Sequence, residues 1–356
     1  MAAVNELPVG EWLYVIPSAG CYRLEGRKMR NRLMLAGAAL LVLAGLIDLP
    51  PSPKTLHPGD TQGDAALTQG VIDRIRAGTG YYDAMETALR TQGYALRPFW
   101  SFRLPLLARF TAMFPTNTVP HILLIALSVA VWLIWSLRME SRWTFAIGGS
   151  LLTFPILVSW APQSLLFHDV WAGLLIALGL GLYPRCRWAA LACGVIALGI
   201  REHAAICAGV MLLCAWRDRR QCLAWAAAIL GFTVYLLVHV WIVSGHVLPD
   251  DPAKNWVTVA GWSFIVSTAR WTLLTAFSPT AVCAVVMPIA LLGLAHLKDY
   301  RPLAVVGAYI AVFLFAGVAD DWYWGLLYSP LLAVGIGIEL PALWGDIKTV
   351  TWRATT

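Results

Sequence analysis

The sequence is poor in charge. Only 13% of its 356 residues are Asp, Glu, Lys or Arg, against about 25% in an ordinary soluble domain. That scarcity argues against a water-soluble enzyme, and also against a disordered chain, which needs high charge and little hydrophobicity. Cysteine is sparse too. The seven cysteines lie in apolar stretches or short basic loops, none falls within 50–118, and no CxxC spacing occurs. A disulfide framework and a structural zinc site are thereby excluded. There is no P-loop, no GxSxG, no HExxH and no GxGxxG followed by an acidic ribose ligand. No repeat of fixed period is visible, which removes a solenoid.

What is abundant is hydrophobicity, at 59%. A bilayer-crossing helix takes about 20 apolar residues, so a chain of this composition has room for roughly ten. Apolar runs closed by charge, Pro or Gly cover 33–49, 119–137, 143–161, 168–183, 187–200, 203–216, 221–244, 279–297, 302–318 and 323–341. The expectation is an all-α polytopic membrane protein with about ten transmembrane helices. The runs 187–200 and 203–216 are short, and read either as tilted spans or as a re-entrant hairpin. No small-residue cleavage pattern follows 33–49, so that run reads as an uncleaved anchor.

Net charge is +6, a balance that in a soluble protein would suggest nucleic acid. With the N-terminus placed in the cytoplasm, 16 of the 26 Lys and Arg fall on the inner side, and every short inner loop is basic. The inner side then carries +8 and the outer side −2, as the positive-inside rule requires. No nucleic acid is needed to explain the excess. The expected organisation is a cytoplasmic segment 1–32, a membrane domain 33–341 and a cytoplasmic tail 342–356. The outer loops are 50–118 and 245–278, in a bacterial inner membrane.

Polar chemistry concentrates on the outer side. Loop 50–118 opens with Pro50, Pro51 and Pro53, followed by HPGDTQGD at 57–64. Two amphipathic helices are predicted next, 65–77 through Leu67, Val71 and Ile75, and 81–92 through Tyr81, Met85 and Leu89. Both are too short and polar to span, and suit the interface plane. RPFWSFRLP at 97–105 then brings aromatics and Arg103 to headgroup level.

Each candidate has two readings. Asp60 and Asp64, four apart, either share a cation or proton or serve as helix N-caps. Arg103 either snorkels to headgroups or grips a phosphate bidentately. Arg201 and Glu202 are either an intramembrane ion pair or, as neighbours that would not face each other on a helix, ligands of separate partners. His168 and Asp169 open a span, where a helix N-terminus alone favours the acid. Asp320 and Asp321 fit the same explanation. The 18 Trp residues read first as interface anchors, with sugar stacking a second role for one or two outer ones.

GDAALTQGVIDRIRAGTGYYDA followed by RPFWSFRLPLLARF resembles the first periplasmic loop of the GT-C superfamily, polytopic glycosyltransferases that use polyprenyl-phosphate-linked sugars. FHDVWAGLLIALGLGL and RWAALACGVIALGIREHAA resemble segments of bacterial membrane proteins grouped with them. The resemblance spans about 30–240 and implies a GT-C-like fold with interfacial helices in the first loop. It implies a catalytic acid at Asp64, with Asp60 second. It also implies basic residues, Arg103 and Arg201, on the lipid phosphate. From their place at outer span ends, His168, Asp169 and Glu202 are expected beside the substrate. A divalent cation, Mg or Mn, is the one cofactor this chemistry would use. Many members carry adjacent acids in this loop, whereas here the pair is spaced. The expected activity is transfer of a sugar from a polyprenyl-phosphate donor to a periplasmic or lipid-linked glycan acceptor. The competing readings are a transporter or flippase and a polysaccharide polymerase or ligase.

Overall fold

A computed structural model of the protein describes residues 19–50, 63–255 and 257–355, with side chains described over 33–50, 63–255, 257–318 and 320–344. Asp60 lies outside the described residues. Among those described, the chain is helical throughout and forms no strand, only an isolated bridge between Arg97 and Ala253.

The helices are α1 (Ala19–Ile47), α2 (Asp64–Arg76), α3 (Tyr81–Thr91), α4 (Pro105–Ala112), α5 (Thr118–Ser136), α6 (Arg142–Leu151), α7 (Thr153–Trp160) and α8 (His168–Leu182). They continue with α9 (Arg187–Ile200), α10 (Ala204–Cys214), α11 (Arg219–Ser244), α12 (Gly261–Thr268), α13 (Thr280–Ala295), α14 (Arg301–Phe313) and α15 (Ser329–Thr355). Every apolar run expected from the sequence contains a helix. Among the described residues three helices are long and apolar enough to cross a membrane: Thr118–Ser136, Arg142–Trp160 (α6 and α7 taken together) and Arg219–Ser244. A fourth is added if Asp320–Leu327 and Ser329–Trp344, bent by 66°, count as one. The other apolar helices are shorter. At 1.5 Å per residue, α9 and α10 reach only about 21 and 17 Å, short of a hydrocarbon core of about 30 Å.

Several boundaries differ from expectation: α1 already begins at Ala19, and α14 stops at Phe313, short of 318. The run 323–341 does not start as one helix: Ala319–Leu327 forms a 3-10 segment and α15 begins only at Ser329. α15 then continues through Pro341 to Thr355, so no helix end marks residue 341. The loop 245–278 also contains a helix, α12, whose Phe264, Ile265 and Val266 are buried.

The main core gathers α8, α13, α14 and α15. Glycines set the closest crossings. A Cβ on Gly293 of α13 would lie 1.9 Å from the Gly335 carbonyl oxygen of α15, so the two backbones touch there as small-residue seams allow. α11 shows Leu230, Leu237 and Trp241 to the outside, a face that suits hydrocarbon rather than water.

The inter-helix turns at one end of the bundle carry basic residues. Lys298 pairs with Glu140 at 3.0 Å and Arg187 with Asp218 at 2.5 Å. The Arg301 guanidinium sits 4.1 Å from the Tyr183 ring centroid. A second, smaller core joins α2 and α3 through Leu67, Val71, Ile72, Tyr81, Met85 and Leu89, with Phe102, Leu166 and Val243. The amphipathic helices thus turn their apolar faces into protein and form a small unit of their own.

Candidate active site

The polar site grows from the start of α2. Gly63, at φ 128°, occupies the N-cap without a side-chain bond, and the helix begins at Asp64 itself. Asp64 therefore does not cap. Its carboxylate is left for other partners, which overturns the N-cap reading of this residue. Oδ1 accepts from the Tyr94 hydroxyl at 3.2 Å. Oδ2 accepts from the Tyr323 hydroxyl at 3.0 Å and meets Arg103 Nη2 at 3.4 Å. Arg103 Nη2 also donates to the Tyr323 oxygen at 3.1 Å.

Neighbouring elements fix Arg103 firmly. Tyr81 of α3 donates to its carbonyl, and His239 of α11 bonds the Phe102 carbonyl at 3.0 Å. Phe102 and Leu104 on either side are buried. A clasp holds the second outer loop beside this unit. Asp251 takes both Arg90 Nη1 and Nη2, at 2.7 and 3.0 Å, while Glu86 takes Arg90 Nε at 2.9 Å and His246 Nδ1 at 2.8 Å.

The electrostatics follow from these contacts. Burial pushes the Asp64 carboxyl up, but the Arg103 charge and the bonds from Tyr323 and Tyr94 outweigh it, holding the group below its ordinary value of 3.8. Burial opposes the Arg103 charge in turn, and Tyr323, Asp64, Glu202 and Asp169 overcome that, raising it well above its ordinary range. The Tyr94 hydroxyl is pushed up by burial and by the Asp64 charge. At neutral pH the site is a carboxylate and a guanidinium bridged by a neutral phenol.

This pair opens on a cavity of about 880 Å³. Its walls include Asp64, Tyr94, Arg103 and Tyr323 on one side, with Lys254, Thr258, Ser263, Ser267, Trp271, Asp320, Asp321 and Trp322 as further polar and aromatic lining. Leu67, Leu89, Phe167, Phe264 and Val318 supply apolar wall. Such a volume lies at the upper end of ordinary small-molecule pockets.

The remaining sequence candidates form a second, drier cluster. Arg201 is fully buried, and its Nε and Nη1 each make a 2.9 Å bond, to Asp169 and Glu202 respectively. Neighbours on a helix would not meet this way. Arg201, however, is extended at φ −141°, ψ 121°, in the break between α9 and α10, so the helical rule does not govern it. The ion-pair reading is the one observed. His168 is buried with Nε2 unbonded, and neither it nor Asp169, Arg201 or Glu202 lines the cavity. Asp321 caps its own segment, accepting from the Val318 amide at 3.3 Å.

Asp64 has no cluster of cation ligands beside it among the described residues. Among the described residues no three His, Cys, Asp or Glu side chains converge, and the oxygens of Asp64 are engaged by Arg103, Tyr323 and Tyr94.

Sequence reasoning alone misses Tyr94 and Tyr323 as site residues. Tyr323 stands in an aromatic set, Trp322, Tyr323, Trp324, directly after Asp320-Asp321. An ionisable hydroxyl among interface anchors was the one available pointer. Tyr94, between Gly93 and Ala95, offered none. No protein-family profile, curated protein or solved structure matches this chain.

Proposed function

We propose that this protein is an integral membrane glycosyltransferase of GT-C type. It moves a sugar from a polyprenyl-phosphate donor to a periplasmic or lipid-linked glycan acceptor. About ten of its helices cross the inner membrane of a bacterium, the short ones sheltered by neighbours, and the cavity faces the periplasm. The observation that carries the reading is the Asp64 carboxylate in a large cavity wall, tied to Arg103 through Tyr323.

The chemistry follows from that geometry. The donor phosphate binds Arg103, which exchanges its 3.4 Å contact with Asp64 for a charge-assisted pair with the phosphate oxygens. Losing that cation raises the basicity of Asp64. Asp64 takes the acceptor hydroxyl proton as the acceptor oxygen bonds to the sugar anomeric carbon. The carbon–oxygen bond to phosphate breaks, and its electron pair leaves on the phosphate, whose negative charge Arg103 stabilises. The Tyr323 hydroxyl holds the two groups in register. The Arg201–Asp169–Glu202 cluster supports this wall electrostatically and takes no part in contact with substrate.

One observation favours a second reading, transport of a lipid-linked or small polar substrate. The broken pair Asp320–Leu327 and Ser329–Trp344 is the discontinuous-helix device that transporters use. The test separates the two. Purified protein in liposomes is given citronellyl-phosphate-linked hexoses as donors and a panel of soluble oligosaccharides. Release of free citronellyl phosphate, reduced about 10²–10⁴-fold in Asp64→Asn, is the expected result. Movement of intact glycolipid without release, unaffected by Asp64→Asn, overturns it in favour of transport.

A further inference from the structure

Away from Asp64, the cavity has an aromatic wall with no role in the chemistry above. Trp271 and Trp322 stack with centroids 4.6 Å apart and planes 6° from parallel. Trp271 Nε1 donates to the Trp322 carbonyl at 3.2 Å, which locks the pair. Both line the cavity and both are only half-buried.

The backbone beneath is rigid. A Cβ on Gly325 would lie 1.9 Å from the Thr268 carbonyl oxygen, so the 3-10 segment is seated directly on the end of α12. The Trp271 turn is closed by Thr275 Oγ1, which donates to the Ala269 carbonyl at 2.7 Å and receives the Thr272 amide at 3.2 Å.

Asp320 completes the wall. Its neighbour Asp321 spends a carboxylate oxygen on the Val318 amide. Asp320 is exposed and lines the cavity, and no hydrogen bond or ion pair among the described residues engages its carboxylate. A 3-10 segment has three residues per turn, so positions i and i+3 eclipse. Asp320 therefore eclipses Tyr323 along the segment, while Trp322 lies about a third of a turn away on the same cavity.

An electron-rich indole face attracts polarised C–H groups, and a free carboxylate accepts strong bonds from hydroxyls. A pyranose ring presents both, on its face and at its rim. We propose that Trp271, Trp322 and Asp320 form a pyranose-binding subsite, with the ring stacked on the Trp pair and its hydroxyls on Asp320. The subsite names the substrate class of the cavity and rests on the transferase reading above. It leaves the Asp64 end for the bond that is made and broken.

Saturation-transfer NMR on the full-length protein in nanodiscs tests this, with methyl glucoside, mannoside, galactoside and N-acetylglucosaminide as probes and sorbitol as control. The expected result is saturation concentrated on one C–H face of at least one pyranoside. It should fall at least about five-fold in Trp322→Ala, fall in Asp320→Asn, and persist in Asp64→Asn. Trp322→Phe and Trp271→Phe guard against misfolding of the alanine variant, and each should lower the signal about two-fold.

No pyranoside exceeding sorbitol, or equal signals in folded Trp variants and wild type, overturns the subsite. Displacement by citronellyl-phosphate glucose assigns the ring to the donor and persistence assigns it to the acceptor, each supporting a pyranose there. Pyranoside binding without turnover refutes the transferase reading alone. Turnover without Trp-dependent binding refutes the subsite alone.

Discussion

Replacing Arg201 with Met decides whether the inner ionic cluster is scaffold or ligand site. Arg201 is 0% exposed, and it holds Asp169, itself 4% exposed at the side chain, and Glu202 through two bonds of 2.9 Å. Removing the cation strands Asp169 in a dry interior. Breaking a buried pair from one side costs about 3–5 kcal/mol. Two hydrogen bonds to charged groups, each about 1.5–3 kcal/mol, give a loss of the same size.

The control is Arg187→Gln. The Arg187–Asp218 pair is 2.5 Å long, but its side chains are 56% and 35% exposed, and such a pair contributes about 0–1 kcal/mol. Unfolding is followed in detergent for wild type, both single variants, Asp169→Asn and the Asp169→Asn/Arg201→Met double variant. The double variant should be more stable than the singles imply, with a coupling of about 0.5–3 kcal/mol, because it leaves no unpaired charge at that contact. Arg201→Met within about 0.5 kcal/mol of wild type, or strict additivity, would refute the reasoning. Loss of phosphate binding at unchanged stability would restore Arg201 as a ligand.

Two further outcomes are expected. Asp64 is held below its ordinary 3.8 chiefly by Arg103 working against burial. The kcat/KM, which reports the free protein, is therefore lost only as pH falls through that depressed value. Arg103→Gln moves the loss to higher pH, and pH–rate profiles of the two proteins on citronellyl-phosphate hexoses measure the direction. Helix packing gives the other. Gly293→Ala drives a methyl into the Gly335 carbonyl at 1.9 Å and should cost about 1–3 kcal/mol. Gly209→Ala, in α10 with nothing within 4 Å of the added carbon, should be neutral or gain about 0.5–1 kcal/mol through helix propensity. Thermal unfolding of both in detergent checks the opposite signs.

The helices were legible because hydrophobic runs and the punctuation around them are local properties. The expected 168–183 and 187–200 became His168–Leu182 and Arg187–Ile200, and the amphipathic helices began and ended within one residue of expectation. The break before α15 was not legible, since Trp322, Tyr323 and Trp324 continue the apolar run without interruption. Only the seating of Gly325 on Thr268 and of Gly173 on Leu326 shows why a 3-10 segment fits there.

At the site, Asp64 and Arg103 were readable as charges placed at a membrane mouth. Their meeting was not, because it depends on a contact over 39 residues, and Tyr323 joins from 259 residues away. Arg201 and Glu202 were readable as an ion pair, but not the way they meet, for a related reason. Their contact depends on a local backbone break that the apolar pattern on both sides conceals. The clasp of Glu86, Arg90, His246 and Asp251 was equally hidden, since its members come from two outer loops far apart in sequence.

In the proposed reaction Arg103 and Asp64 face a lipid-linked phosphate across one cavity. A cryo-EM map of the protein in nanodiscs with citronellyl phosphate tests it directly. The expected result is phosphate density within hydrogen-bond reach of Arg103, with the guanidinium turned from Asp64 and the carboxylate open to the cavity. Phosphate bound instead at the opposite, basic end beside Arg138 and Arg301, with the Asp64–Arg103 contact unchanged, would contradict it.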